Sequence, residues 1–216
     1  MEIIRKGLVM SHVLVLSPHT DDLEFGCGGT IKKLVQSGHR VSLIVFSTCE
    51  ESLPPPYTIA DIKAEQLASC NVLGISKNDV IFKDFPVRRF DSYRQDILEV
   101  MIDFKRNNKV AQVFTPSSTD VHQDHSVINR ESIRAFKDSC LLGYELPWND
   151  LSSSNRFFHI LSNEDISAKE NAIGCFNSQK HRFYDAKALR SLARVRGLQI
   201  KSKYAECFEL IRWLQE

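Results

Sequence analysis

Long apolar runs are missing from this chain: nothing in its 216 residues approaches the roughly 20 consecutive apolar positions that a membrane-spanning helix needs. A dominant charge is missing too. Lys and Arg number 28 and Asp and Glu 27, a net charge of +1 with histidine neutral. No long-range field therefore draws the protein to nucleic acid or an anionic membrane surface, and neither is expected as a partner. The six cysteines, at 27, 49, 70, 140, 175 and 207, lack the close spacing of a disulfide frame and read as free thiols of a reducing, cytoplasmic protein. Repeats, low-complexity tracts and linkers are also absent, and the triplet Ser152 to Ser154 is too short to divide domains, so residues 1–216 read as a single domain. Met1 to Leu16 has Arg5 and Lys6 ahead of an apolar stretch, but it contains His12 and lacks a small-residue cleavage site. It reads as the approach to a first strand and not as a signal peptide.

What the chain does have is alternation. Apolar runs at His12–Leu16, Arg40–Ser47, Val80–Phe85 and Val110–Thr115 predict strands. Between them, Thr30–Ser37, Ile59–Leu73 and Arg94–Lys105 predict amphipathic helices, the first two closed by Gly38 and Gly74. The segment Ser52 to Tyr57, with three consecutive prolines, predicts a stiff extended loop. This βαβα pattern predicts an α/β, Rossmann-like doubly wound sheet, mostly parallel, with helices on both faces. Regularity weakens from Gly143. The C-terminal third is divergent, with an extended segment, a polar loop and a strand, then helices at Ser167–Phe176 and Ala186–Arg196 and a last strand at Tyr204–Trp213.

Two of the strands run straight into clusters of polar residues. After Leu16 come Ser17-Pro18-His19-Thr20-Asp21-Asp22-Leu23-Glu24, and after Thr115 comes a segment offering Asp120, His122, Asp124 and His125. Proline cannot donate to a sheet ladder, so the first strand is expected to stop there. Ligands of doubly wound sheets bind beyond the carboxyl ends of the strands, which brings both clusters to one edge. Imidazole and carboxylate together suit a borderline divalent metal. A cation also offsets the repulsion between adjacent Asp21 and Asp22, one binding it while the other is placed to take a proton from an acidified water. Behind the first cluster, Gly26, Gly28 and Gly29 form a glycine-rich turn that is not G-x-G-x-x-G. A phosphate cradle is one reading of it; close approach of a helix start to the metal loop is the other.

These residues resemble the PIG-L/LmbE-like zinc-dependent N-deacetylases. That family carries Pro-His-Pro-Asp-Asp-x-Glu after its first strand, standing here as Pro18 to Glu24 with Thr20 in place of the second proline, and His-x-Asp-His after a later strand, standing here as His122 to His125. The C-terminal stretches Phe176 to Gln179 and Arg196 to Leu210 are similar as well. The resemblance implies a hydrolase removing acetyl from a small-molecule N-acetylated amino sugar or its conjugate. His19, Asp22 and His125 would hold Zn2+, and Asp21 would be the general base. His122 would stabilise the oxyanion or protonate the amine, with Asp124 orienting its ring. Glu50, Arg88 and Arg89 are candidates for substrate contacts, and assembly as a homo-oligomer is left open. Other readings also remain: a dinucleotide-binding Rossmann protein using the glycine-rich turn, a non-haem Fe2+ centre of two histidines and one carboxylate, and a non-catalytic sugar binder.

Overall fold

The computed structural model describes residues 10–150, 157–180 and 186–215. The loop expected around Ser152 to Ser154 and the approach at positions 1–9 lie outside the described residues. Among those described, seven strands form one mixed sheet and six α-helices cover it. The chain runs β1 (His12–His19), α1 (Asp22–Gln36), β2 (Arg40–Ser47), α2 (Ile59–Leu73), β3 (Val80–Phe82), α3 (Arg94–Asn107), β4 (Val110–Pro116), α4 (Gln123–Ala135) and β5 (Cys140–Tyr144). It continues through β6 (Phe157–Leu161), α5 (Asn163–Ile173) and α6 (Ala186–Gln199) to β7 (Tyr204–Arg212). Strand order is β3-β2-β1-β4-β5-β7-β6. The first five are parallel, whereas β7 runs antiparallel to both β5 and β6.

The strands are apolar on both sides because both faces are covered. Val13 and Val15 meet Leu23, Ile31, Cys70 and Leu73 of α1 and α2. Leu14 and Leu16, one residue out of phase, meet Ile97, Met101, Val127 and Ile128 of α3 and α4. Each such fully buried aliphatic side chain contributes about 1.5–3 kcal/mol. A capping box of Thr58 and Asp61 starts α2, and Gly74, at φ 89°, ends it.

Several boundaries differ from the sequence expectation. β1 continues past Pro18 to His19, since pairing with β4 stops at Val15↔Phe114 while β2 alone pairs onward to His19↔Ser47. α1 begins at Asp22, not Thr30, so the glycine-rich stretch is helix and not turn. β3 is shorter than expected. α5 starts at Asn163, where Ser162 and Asp165 form a capping box. α4 and β5 are additions to the expected elements.

Candidate metal centre and active site

β1 lies between β2 and β4, where the strand order reverses, and this is where a doubly wound sheet opens a crevice. His19 ends β1. Asp21 turns the chain in the left-handed region (φ 78°), and Asp22 opens α1. The Asp22 Oδ2 accepts the His19 backbone N–H at 2.8 Å, which closes this turn. From the neighbouring strand end, the segment before α4 brings Asp120 and His122, and the first turn of α4 brings Asp124 and His125.

Carboxylates fix both ring orientations. His125 Nδ1 faces Asp120 Oδ2 at 2.7 Å, and His19 Nε2 faces Asp124 Oδ2 at 2.9 Å. With those nitrogens donating, His125 Nε2 and His19 Nδ1 are left as acceptors, and they converge to 3.1 Å. Asp22 Oδ2 lies 3.5 Å from each of them. A tetrahedral ion with bonds of about 2.0–2.1 Å spaces its ligands about 3.3 Å apart, so this triangle of two imidazole acceptors and one carboxylate oxygen fits a divalent metal. The ring nitrogens of His19, His122 and His125 also cluster within 4.8 Å of one another. The set with Asp22 is tighter, and His122 is engaged otherwise, its Nδ1 accepting the Asp124 backbone N–H at 3.2 Å.

Asp124 departs from the role that the sequence suggested. Its carboxylate turns away from the ring of His122 and binds His19 instead, while also accepting the backbone N–H of Arg88 at 2.6 Å and of Phe90 at 3.3 Å. It thereby ties the Arg88 loop, with Arg88 itself at φ 65°, to the histidine at the end of β1. Burial opposes ionisation of Asp124, but His19 and these backbone donors hold its carboxyl below the usual range. Asp22 behaves alike: burial opposes its charge, and His125 and His19 outweigh that. For His122, burial comes first and the neighbouring His125 and His19 second, bringing its pKa down to about 4. A neutral ring whose Nδ1 accepts a hydrogen bond carries its proton on Nε2.

His19, Asp21, Asp22, His122 and His125 line one cleft of about 310 Å³. Arg88, Trp148, Asn149 and Gln179 form its outer wall. Trp148 is 39% exposed and packs edge-on against Phe25. Arg88 lines this cleft. Glu50 does not: it borders a separate hollow at the ends of β2 and β3 with Glu51, Lys63 and Asp84. Arg89 is exposed and does not line the cleft. Asp120, Trp148 and Asn149 are contributors that sequence reasoning left without a role. Only for Asp120 was there a signal, its place in the second cluster.

The glycines answer to packing. A methyl on Gly26 would overlap the Tyr144 ring, whose hydroxyl bonds the Leu16 carbonyl at 3.0 Å, and one on Gly29 would sit 2.7 Å from Leu161. The Glu206 carboxylate accepts the N–H groups of Gly29 and Thr30 at 3.1 and 2.7 Å, and Lys169 Nζ donates to the Phe25 carbonyl at 2.7 Å and to Glu206 at 2.6 Å. These donors already have buried partners, so the stretch offers no phosphate cradle, and the dinucleotide reading fails here. Nor do the glycines serve approach to the metal loop; Gly26 and Gly29 seat β5, β6 and β7, and Gly28 seats Lys169 of α5.

The family model of PIG-L, described as GlcNAc-PI de-N-acetylase, matches residues 14–136, which span both polar clusters. The chain belongs to the PIG-L family. Among PIG-L relatives, it is 27% identical over 171 residues to the uncharacterized deacetylase YaiS of Escherichia coli K12, covering 76% of this chain and 87% of that protein. Among solved structures, N,N'-diacetylchitobiose deacetylase from Pyrococcus horikoshii has a TM-score of 0.71 at 22% identity, over 92% of this chain and 83% of that one. GalB, the 4-carboxy-2-hydroxymuconate hydratase of Pseudomonas putida KT2440, has a TM-score of 0.77 at 21% identity, over 96% and 99%. At such identities the structural likeness shows the PIG-L fold alone. None of the six cysteines, all among the described residues, forms a disulfide. Among the described residues no helix is long and apolar enough to cross a membrane.

Proposed function

We propose that this PIG-L protein is a zinc-dependent hydrolase that removes acetyl from an N-acetylated amino sugar or its conjugate. The observation that carries the reading is the triangle of His19 Nδ1, His125 Nε2 and Asp22 Oδ2, set in one cleft with Asp21 and His122. His19, Asp22 and His125 would hold the metal, which when bound polarises the amide carbonyl and acidifies water. Asp21 lines the cleft one residue before a ligand and takes the proton of the attacking water. The carbonyl oxygen gains negative charge as the tetrahedral centre forms, and His122, neutral and carrying its proton on Nε2, donates a hydrogen bond there. Collapse breaks the C–N bond, and Asp21 returns its proton to the departing nitrogen, so acetate and amine leave in balance.

The outer wall suits a sugar. An exposed indole offers its face to the apolar side of a pyranose, and the Asn149 and Gln179 amides and the Arg88 guanidinium offer hydrogen bonds to hydroxyls. The names of the chitobiose deacetylase and of 2'-N-acetylparomamine deacetylase from Streptomyces fradiae, another relative, support that substrate class. Acetate release from a panel of N-acetylated amino sugars, sugar nucleotides and glycoconjugates tests the proposal, using zinc-loaded protein beside Asp21→Ala. Release by the wild type and not by the variant is expected. No acetate from any member, with metal bound, would refute it.

A further inference from the structure

Glu24, the last residue of the first motif, has no part in the chemistry above, yet its side chain is fully buried. One of its oxygens, Oε1, accepts Gln66 Nε2 at 2.7 Å and Ser69 Oγ at 2.5 Å, both from α2. Gln66, also fully buried, then presents its own Oε1 to the Asp21 backbone N–H at 3.3 Å. An amide side chain can turn over and exchange its oxygen for its NH2. Turned over here, it would set donor against donor at Asp21. Glu24 Oε1, which accepts that NH2 together with Ser69 Oγ, selects the orientation that works. The residue so served is a non-glycine in left-handed backbone, a conformation that persists only where its surroundings hold it.

We propose that Gln66, oriented by Glu24 and Ser69, is a positioning residue that holds the Asp21 turn so that its carboxylate faces the cleft. The kinetic part rests on the deacetylase reading, with Asp21 as its base. The α2 helix thus reaches the reaction through a buried relay without touching substrate or metal ligands.

Gln66→Met keeps the volume and removes the acceptor. Its kcat is expected to fall by about 10- to 100-fold with KM within about twofold and metal content unchanged, the effect of a base displaced by a fraction of an ångström. Glu24→Leu should match it. Glu24→Gln still offers an oxygen to α2 and should stay within about threefold of wild type. Ser69→Ala is the milder variant should the others fold poorly, with a fall of about threefold. In the Asp21→Ala background, Gln66→Met should change the residual rate no further. A further fall there would mean that Gln66 acts elsewhere, and the proposal would be overturned. A crystal structure of Gln66→Met decides the geometry without any substrate: a shifted Asp21 φ and carboxylate support the proposal, and an unmoved turn overturns it. If wild type releases no acetate, the deacetylase reading fails, while the crystallographic arm still settles the relay.

Discussion

Replacing Lys169 by methionine should destabilise the protein far more than a surface lysine would. Lys169 and Glu206 are 7% and 6% exposed, and their charges meet at 2.6 Å between α5 and β7. Lys169→Met removes one charge, leaves the Glu206 carboxylate buried without its cation, and removes a donor from the Phe25 carbonyl. Breaking a buried ion pair from one side costs about 3–5 kcal/mol. For a chain of this size that corresponds to a fall in Tm of about 6–20 °C. Glu206→Leu should cost about as much, because it leaves the Lys169 ammonium buried without its anion and removes the acceptor beside the Gly29 and Thr30 N–H groups. Adding Lys169→Met to Glu206→Leu should then cost little more, since the uncompensated charge is gone. Urea unfolding at fixed metal concentration measures all three, since a bound ion would shift every curve. A loss under about 1 kcal/mol for Lys169→Met would show that the pair is solvated in solution and would refute the reasoning.

Other perturbations address the site. Asp22→Ala should abolish equimolar metal binding as read by metal analysis after gel filtration, and full zinc stoichiometry would remove it as a ligand. His122→Ala should retain metal and lose about 10²–10³ in kcat, as for a lost oxyanion donor; a near-native rate would reassign that role. Trp148→Ala should raise KM for sugar substrates by about tenfold with kcat little changed, which steady-state kinetics will show. Equal losses in kcat would instead place the indole against the reacting group.

Much of this was legible in the sequence, for identifiable reasons. β1, β2 and β4 are continuous apolar runs because helices cover both faces, and α2 carries its capping residue and closing glycine in plain view. Both polar clusters were placed at strand ends, and the structure brings them to one cleft. What escaped was decided by tertiary partners. α1 lost its first two turns to low intrinsic propensity, with Gly26, Gly28 and Gly29 in its interior, and packing against Tyr144 and Leu161 overrides that preference. α4 was obscured because its buried side includes Asn129, Glu131 and Ser132, which break the apolar stripe; Arg94 and Arg134 neutralise Glu131 from outside. Asp124 stands beside His122 in sequence, and only the meeting of β1 with β4 shows His19 to be its partner.

The seam along α1 also bears on how the chain is made. Gly29 and Thr30 are synthesised 177 and 176 residues ahead of Glu206, whose carboxylate accepts from their N–H groups. Until β7 has left the ribosome, the helix that opens with Asp22 keeps an open groove where Leu161, Lys169 and Glu206 belong. The segment matching the family, 14–136, therefore contains every proposed metal ligand but lacks Leu161, Lys169 and Glu206, against which α1 packs. A nascent chain arrested after α4 would carry the proposed ligand residues without the β7 carboxylate that accepts from α1.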